Sequence, residues 1–285
     1  MCRLFGLLGN PRSPAEPWLV GADRSLLAQA HVSDDQAQKD GWGVAWYTDQ
    51  RQPRLEKGVG SAYTESAAFS RAAHAAQGPV VLGHLRHASN PLNLSHDRLI
   101  GLENSQPFAY HNYLFAHNGA IPYPRETRPL LGKFEEQVRG VNDSEVLFWL
   151  LVRHTDALGD PLQGFARTVS DLTRVWAQRP DRGDAPFSGL NVLFTRGPNE
   201  LWAFCLWRGE HGASFFEPAR PYYQMAYVAD AKQCIVGSEP FDGTRHDWKS
   251  LENGSYLVAR ASSGLITVET GPIPLHASER LALVK

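Results

Sequence analysis

Short apolar runs without a polar face constrain this chain most. Residues 3–8, 41–47, 80–86 and 113–118 are each six or seven residues long, rich in β-branched or aromatic side chains, and bounded by Gly, Pro, Asn or Asp. Such runs read as strands. Several are apolar on both alternating faces, so they have to be covered on both sides. Helix signals lie between them. Residues 18–30 and 65–76 are rich in Ala and Leu without breakers, and 162–177 is closed by Pro180. Asn142-Asp143-Ser144-Glu145 has capping-box spacing ahead of the apolar run 146–152. Strand patterns return at 190–195, 201–207, 222–228, 234–238, 256–259 and 265–268. Strands, then helices, then strands predict sheets packed face to face with helices outside. The Pro- and Gly-rich stretches 118–132 and 179–189 read as surface loops inside one domain.

Composition narrows the function. A hydrophobic fraction of 42% supplies a sizeable core for 285 residues, and 11% aromatics suit a β-rich one. A formal charge of -2 with no basic cluster leaves no footprint for nucleic acid. No apolar run approaches the roughly 18 residues of a membrane span, and the N-terminus is too short and weakly basic for a signal peptide. Cys2, Cys205 and Cys234 cannot all pair, and none lies in a C-x-x-C. The chain reads as a soluble cytoplasmic protein.

Four segments could carry chemistry. If Met1 is removed, Cys2 joins a thiol and an α-amine on one carbon. The amine, with an ordinary pKa of about 7.7–8.0, can serve as base for its own side chain. A Cys that merely enters a buried strand is the plain alternative. Arg86 ends a strand and shares a face with His84, Leu82 and Val80. Its guanidinium requires an anion, either a substrate carboxylate or a structural Asp or Glu. Asn118 could direct an amide N–H at a developing oxyanion, with Gly119 presenting a main-chain N–H beside it; Asn-Gly is also an ordinary turn. Asp143 could hold an ammonium, or simply complement the helix dipole. His84 and His87 would fall on opposite faces of a strand and could not share one metal without a bend, and neither H-E-x-x-H nor G-x-S-x-G is present.

Taken in order, Cys2 after Met1, Asp40-Gly41-Trp42-Gly43, Gly83-His84-Leu85-Arg86, Glu103-Asn104-Ser105-Gln106-Pro107-Phe108, Ala116-His117-Asn118-Gly119 and Asp143-Ser144-Glu145 resemble the class II glutamine amidotransferases, which are N-terminal nucleophile (Ntn) hydrolases. The chain is most similar to their short, single-domain branch: YafJ-type proteins, the ergothioneine-pathway amidohydrolase and the fungal glutathione-degradation subunit. Val236-Gly237-Ser238-Glu239-Pro240-Phe241 with Trp248 fits the same branch, so the resemblance runs to about residue 260. It implies an α+β fold, a four-layer αββα sandwich of two antiparallel sheets between helical layers, as a single domain over 1–285 with Met1 removed.

The resemblance also implies roles. Cys2 would be the nucleophile and its amine the base, with Asn118 and Gly119 as the oxyanion hole. Arg86 would bind the substrate α-carboxylate and Asp143 the α-ammonium. Ser89 stands where relatives carry threonine and keeps a hydroxyl for substrate binding. His87 stands where many larger relatives carry Trp, and Asp40-Gly41-Trp42-Gly43 is assigned to loop architecture. No cofactor or metal is implied. The expected reaction is hydrolysis of a γ-glutamyl amide bond through a Cys2 thioester, releasing glutamate. The alternatives are a glutaminase subunit that delivers ammonia to a separate synthase chain, or a non-catalytic γ-glutamyl-binding module if Met1 is retained.

Overall fold

Side-chain alternation sorts the apolar residues into three stacked cores in the computed structural model, which describes residues 2–9, 13–209, 211–277 and 279. One antiparallel sheet has the strand order β11 (Lys249–Leu251), β9 (Met225–Ala229), β10 (Gln233–Gly237), β1 (Arg3–Gly9), β4 (Val80–Leu85), β2 (Trp42–Tyr47) and β3 (Pro53–Gly58). The second runs β13 (Leu265–Pro272), β12 (Ser255–Ser262), β8 (Glu200–Cys205), β7 (Leu190–Thr195), β6 (Tyr113–Gly119) and β5 (Phe108–Tyr110).

Leu4 and Leu8 of β1 face the second sheet and share the middle core with Val80, Leu82, Leu114, Ala116 and Leu193. Phe5 and Leu7 face the other way, onto a core with Leu19, Leu26, Trp42 and Phe69 beneath α1 (Leu26–Gln29) and α2 (Ser66–Ala75). On the far side, Phe115 and Phe194 pack under α5 (Asp143–Leu158) and α6 (Pro161–Ala177) through Phe148, Leu151 and Phe165. The central strands are thus buried on both faces, as their sequences require, and the layers run helix, sheet, sheet, helix.

The start of α5 departs from a capping box. Asn142 caps as expected, its side-chain oxygen accepting from the Ser144 N–H at 2.9 Å. Glu145 does not reach back to Asn142; its carboxylate takes the N–H groups of Arg139 and Gly140 at 2.8 and 2.7 Å. The Asn142 N–H goes instead to the Asn104 side chain at 3.2 Å. The expected helix over 18–30 is broken into a single turn, Pro17–Gly21, and α1. Ser25 restarts it as a new N-cap, accepting from the Ala28 N–H, while the Arg24 N–H is drawn to the Phe241 carbonyl. A short helix, α3 (His96–Leu99), follows β4, and the stretch expected as a loop over 118–132 carries α4 (Pro124–Thr127) and leads into 3-10 turns over Arg128–Gln137. Strands β3, β5 and β11 were not legible, being polar or only three residues long.

Candidate active site

Strand alternation and register gather the candidate residues at one end of the space between the sheets. Cys2 has the same parity as Leu4, Arg86 the same parity as Leu82 and His84, and Asn118 the same parity as Leu114 and Ala116, all inward-facing positions. In the β1–β4 register Arg3 pairs with Leu85 and Leu4 with His84, which brings Cys2 level with Arg86. The Cys2 sulfur is buried, 3.5 Å from the His87 main-chain nitrogen. Burial pushes this thiol up from its ordinary value, while the positive chain terminus, the His87 N–H and Arg86 pull it down and Asp143 adds to the rise. A thiol so placed stays protonated until a base removes its proton. Met1 lies outside the described residues, and the expectation that it is removed goes with it.

Arg86 is buried, yet among the described residues no carboxylate forms an ion pair with it. One guanidinium nitrogen, Nη1, donates to the main-chain carbonyls of Asp40 and Leu99 at 3.0 and 2.9 Å. Nε and Nη2 have no hydrogen bond to the described residues. Asp40 also braces the chain that follows Arg86. Its Oδ2 accepts from the Ala88 N–H at 2.7 Å and its Oδ1 lies 3.1 Å from His96 Nε2. Asp40 thus has the architectural role expected of its motif, but Trp42 and Gly43 begin β2 and are not part of a loop. Asp143, at the first turn of α5, accepts the Ser89 hydroxyl at 2.7 Å on Oδ1 and the Ile121 N–H at 2.7 Å on Oδ2. The Ser89 hydroxyl proton is therefore directed at Asp143. Each carboxylate oxygen keeps a lone pair for a further donor.

Asn118 and Gly119 do not form a turn. They continue β6, paired with Asn191 and Leu190 of β7. Asn118 is fully buried, and neither its Nδ2 nor its Oδ1 has a hydrogen-bond partner. Gly119 lies so close to the neighbouring strand that a Cβ there would come within 1.9 Å of the Gly189 carbonyl oxygen. No other residue fits.

A polar clamp on the preceding residue aims this pair. The Gln106 side chain accepts the His117 N–H at 2.6 Å and donates to the His117 carbonyl at 3.2 Å, as a neighbouring strand would. The His117 ring faces the opposite way from Asn118. Its Nε2–H donates to the Gly189 carbonyl at 3.0 Å, and its Nδ1 accepts from the Ser144 hydroxyl at 2.9 Å. His84 Nε2 adds a further donor to the His117 carbonyl at 3.2 Å, and burial pulls His84 down to about 3, so this imidazole is neutral. Gln106, His117 and Ser144 stand inside or beside the quoted motifs, but strand periodicity says nothing of their pairing.

Arg3, read from sequence as part of an apolar strand, anchors the residue after Cys2. Its Nη1 lies 3.3 Å from Glu239 Oε1, with both side chains at 0% exposure. Its guanidinium is sandwiched between the Phe215 and Tyr222 rings at 3.5 and 4.0 Å. The Tyr222 hydroxyl donates to the Cys2 carbonyl at 3.2 Å. Cys205 and Cys234 are buried in β8 and β10, where burial raises each thiol to about 12. Among the described residues no cluster of His, Cys, Asp and Glu is placed to hold a metal ion, and no helix is long and apolar enough to cross a membrane.

Comparison with known proteins follows the same lines. The sequence model described as glutamine amidotransferases class-II matches residues 1–280. An uncharacterized protein of Methanocaldococcus jannaschii is 24% identical over 283 residues, which is 90% of this chain and 69% of that protein. Among solved structures, a glutamine aminotransferase class-II domain protein from Silicibacter pomeroyi superposes with a TM-score of 0.64 at 21% identity, covering 95% of this chain and 99% of that one. The glutamine phosphoribosylpyrophosphate amidotransferase of B. subtilis superposes with a TM-score of 0.59 at 18% identity, covering 96% of this chain and 50% of that one. At these identities the superpositions show a shared fold.

Proposed function

Since the chain belongs to the class II glutamine amidotransferases, we propose that it hydrolyses a γ-glutamyl amide bond, in glutamine or a γ-glutamyl conjugate, through a thioester on Cys2. The observation that carries this reading is the register that sets Cys2 level with Arg86 on adjacent strands, with the fully buried Asn118 amide of the facing sheet left unpartnered. Removal of Met1 frees the Cys2 amine, which takes the thiol proton. The sulfur then attacks the γ-carbonyl carbon. The negative charge that develops on the carbonyl oxygen is met by Asn118 Nδ2 and the Gly119 N–H, donors aimed where charge appears only in the transition state. Collapse breaks the C–N bond, and the leaving amine carries off the proton held by the Cys2 amine. Water, deprotonated by the same amine, attacks the thioester and releases glutamate. Arg86 offers Nε and Nη2 to the substrate α-carboxylate and Asp143 its remaining lone pairs to the α-ammonium. Fixing that end sets the γ-carbonyl against the sulfur.

A second reading has the same chemistry but a different destination for the nitrogen: a glutaminase subunit that passes ammonia to a separate synthase chain. The B. subtilis amidotransferase, half of which this fold covers, favours it. One experiment on the purified protein separates the readings. The N-terminal mass is measured, a glutamine-analogue electrophile is applied, and glutamate release is followed on glutamine and on γ-glutamyl peptides with no other protein added. The hydrolase reading expects a chain beginning at Cys2, labelling at Cys2 alone, and turnover of a peptide. Activity on glutamine only, or only after cell extract is added, assigns the subunit reading. A retained Met1 with binding but no turnover assigns a binding module.

A further inference from the structure

Beside the site lies a cleft of about 420 Å³ that the mechanism above leaves unused. Its walls are the two stretches of chain that leave the site. Ser89 and Pro91 follow Arg86, and Ala120 and Pro122 follow Gly119; Phe187 and Arg208 close it from the other side. The volume is that of a small-ligand pocket, and the proline and phenylalanine rings make its body apolar. Arg208 is 6% exposed, and its Nη1 is buried without a hydrogen-bond partner. Among the described residues no carboxylate pairs with it; the Trp176 ring, 6.0 Å away, backs it. A guanidinium buried without an anion is costly to the fold unless a ligand supplies the charge.

The charges in the site identify that ligand. The amino-acid end of any γ-glutamyl compound carries one negative and one positive charge, answered by Arg86 and Asp143. Asp40, the other buried carboxylate beside Arg86, is engaged by the Ala88 N–H and by His96. Arg208 is left over. Glutamine, with a bare amide, brings nothing to meet it. A γ-glutamyl amino acid or peptide brings a second carboxylate on the far side of the scissile bond. We propose that Arg208 binds the carboxylate of the group attached to the γ-amide nitrogen, so that the cleft selects γ-glutamyl amino acids or peptides over glutamine. This rests on the γ-glutamyl reading of Cys2, Arg86 and Asp143 and adds to it the identity of the leaving group.

The test is equilibrium binding by calorimetry to the full chain carrying Cys2→Ala, with γ-glutamylglycine and γ-glutamylmethylamide as probes. The two differ only by the carboxylate. Hydrogen bonds to charged groups set the expected preference for γ-glutamylglycine at about 10- to 100-fold. Adding Arg208→Gln should abolish that preference and leave the affinity for the methylamide unchanged. Arg208→Lys, which keeps the charge but not the fork, should retain part of the preference and serves where the Gln variant does not fold. Equal binding of the two probes before any change at Arg208 overturns the inference alone. So does an equal loss for both probes in Arg208→Gln, which would place Arg208 on the α-carboxylate. Binding of neither probe overturns the γ-glutamyl reading and the inference with it.

Discussion

Replacing Asn118 by leucine should make the protein more stable and nearly inactive. The Asn118 amide is fully buried, and both its polar atoms lack partners. A buried polar group left unsatisfied costs about 1–3 kcal/mol. Leucine has a similar volume and no polar atom, and two inward neighbours of residue 118 on β6 and β7, Ala116 and Leu193, are apolar. Asn118→Leu is therefore expected to gain about 1–3 kcal/mol of folding stability. At about 2–4 °C per kcal/mol for a chain of this size, the unfolding midpoint rises by several degrees. In the proposed mechanism the same amide donates to the oxyanion, and loss of one such donor lowers kcat by about 10²–10³. KM should hold, because Asn118 does not touch the amino-acid end of the substrate. Thermal unfolding and steady-state glutamate release, measured on the same preparations, read both effects. A lowered midpoint with unchanged kcat would refute the reasoning, since it would make Asn118 a structural residue with a partner in the folded chain.

Arg86→Gln and Asp143→Asn remove contacts present in ground and transition states alike, so each should raise KM by roughly 10- to 100-fold with a smaller effect on kcat; a loss confined to kcat would reassign them. His84 is held at about 3, below its ordinary 6.5, so the unfolded chain binds the proton more readily. That stability is complete above pH 6.5 and falls as the pH drops toward 3, by about 1.4 kcal/mol per pH unit. Burial pulls His117 in the same direction. His84→Gln, whose amide can still donate to the His117 carbonyl, should flatten the fall seen by urea unfolding between pH 4 and pH 7, and a slope identical to the parent's would discount His84. Arg3→Met leaves Glu239 buried without its cation and should cost about 3–5 kcal/mol, with part of the loss recovered on adding Glu239→Leu; an unfolding midpoint unmoved by Arg3→Met would show that the pair does not hold the N-terminus.

Much of the architecture is local information. Strands β1, β2, β4 and β6 announce themselves because a segment covered on both faces has to be apolar throughout. Period-two alternation alone placed Arg86 on the face of His84 and Leu82. Asn142 and Asp160, capping α5 and α6, are equally local, since a cap bonds N–H groups two or three residues away. Other features follow from contacts that no window of sequence contains. Asn118-Gly119 carries the local signature of a turn, and only pairing with β7, against a Gly189 carbonyl that no Cβ at 119 could tolerate, keeps it in a strand. Arg86 is held by carbonyls at residues 40 and 99, and Arg3 by a carboxylate 236 residues away. Strand β3 is too polar to be read alone and exists because β2 offers it an edge. Arg208 lies just past the expected strand 201–207, in a position where only the return of the chain around it buries the guanidinium. Residue patterns determine which face of an element is apolar and where it stops, because those depend on neighbours along the chain. Which side chains meet at the end of the sandwich depends on strand register and on which sheets stack, and those are settled by the packing of segments distant in sequence.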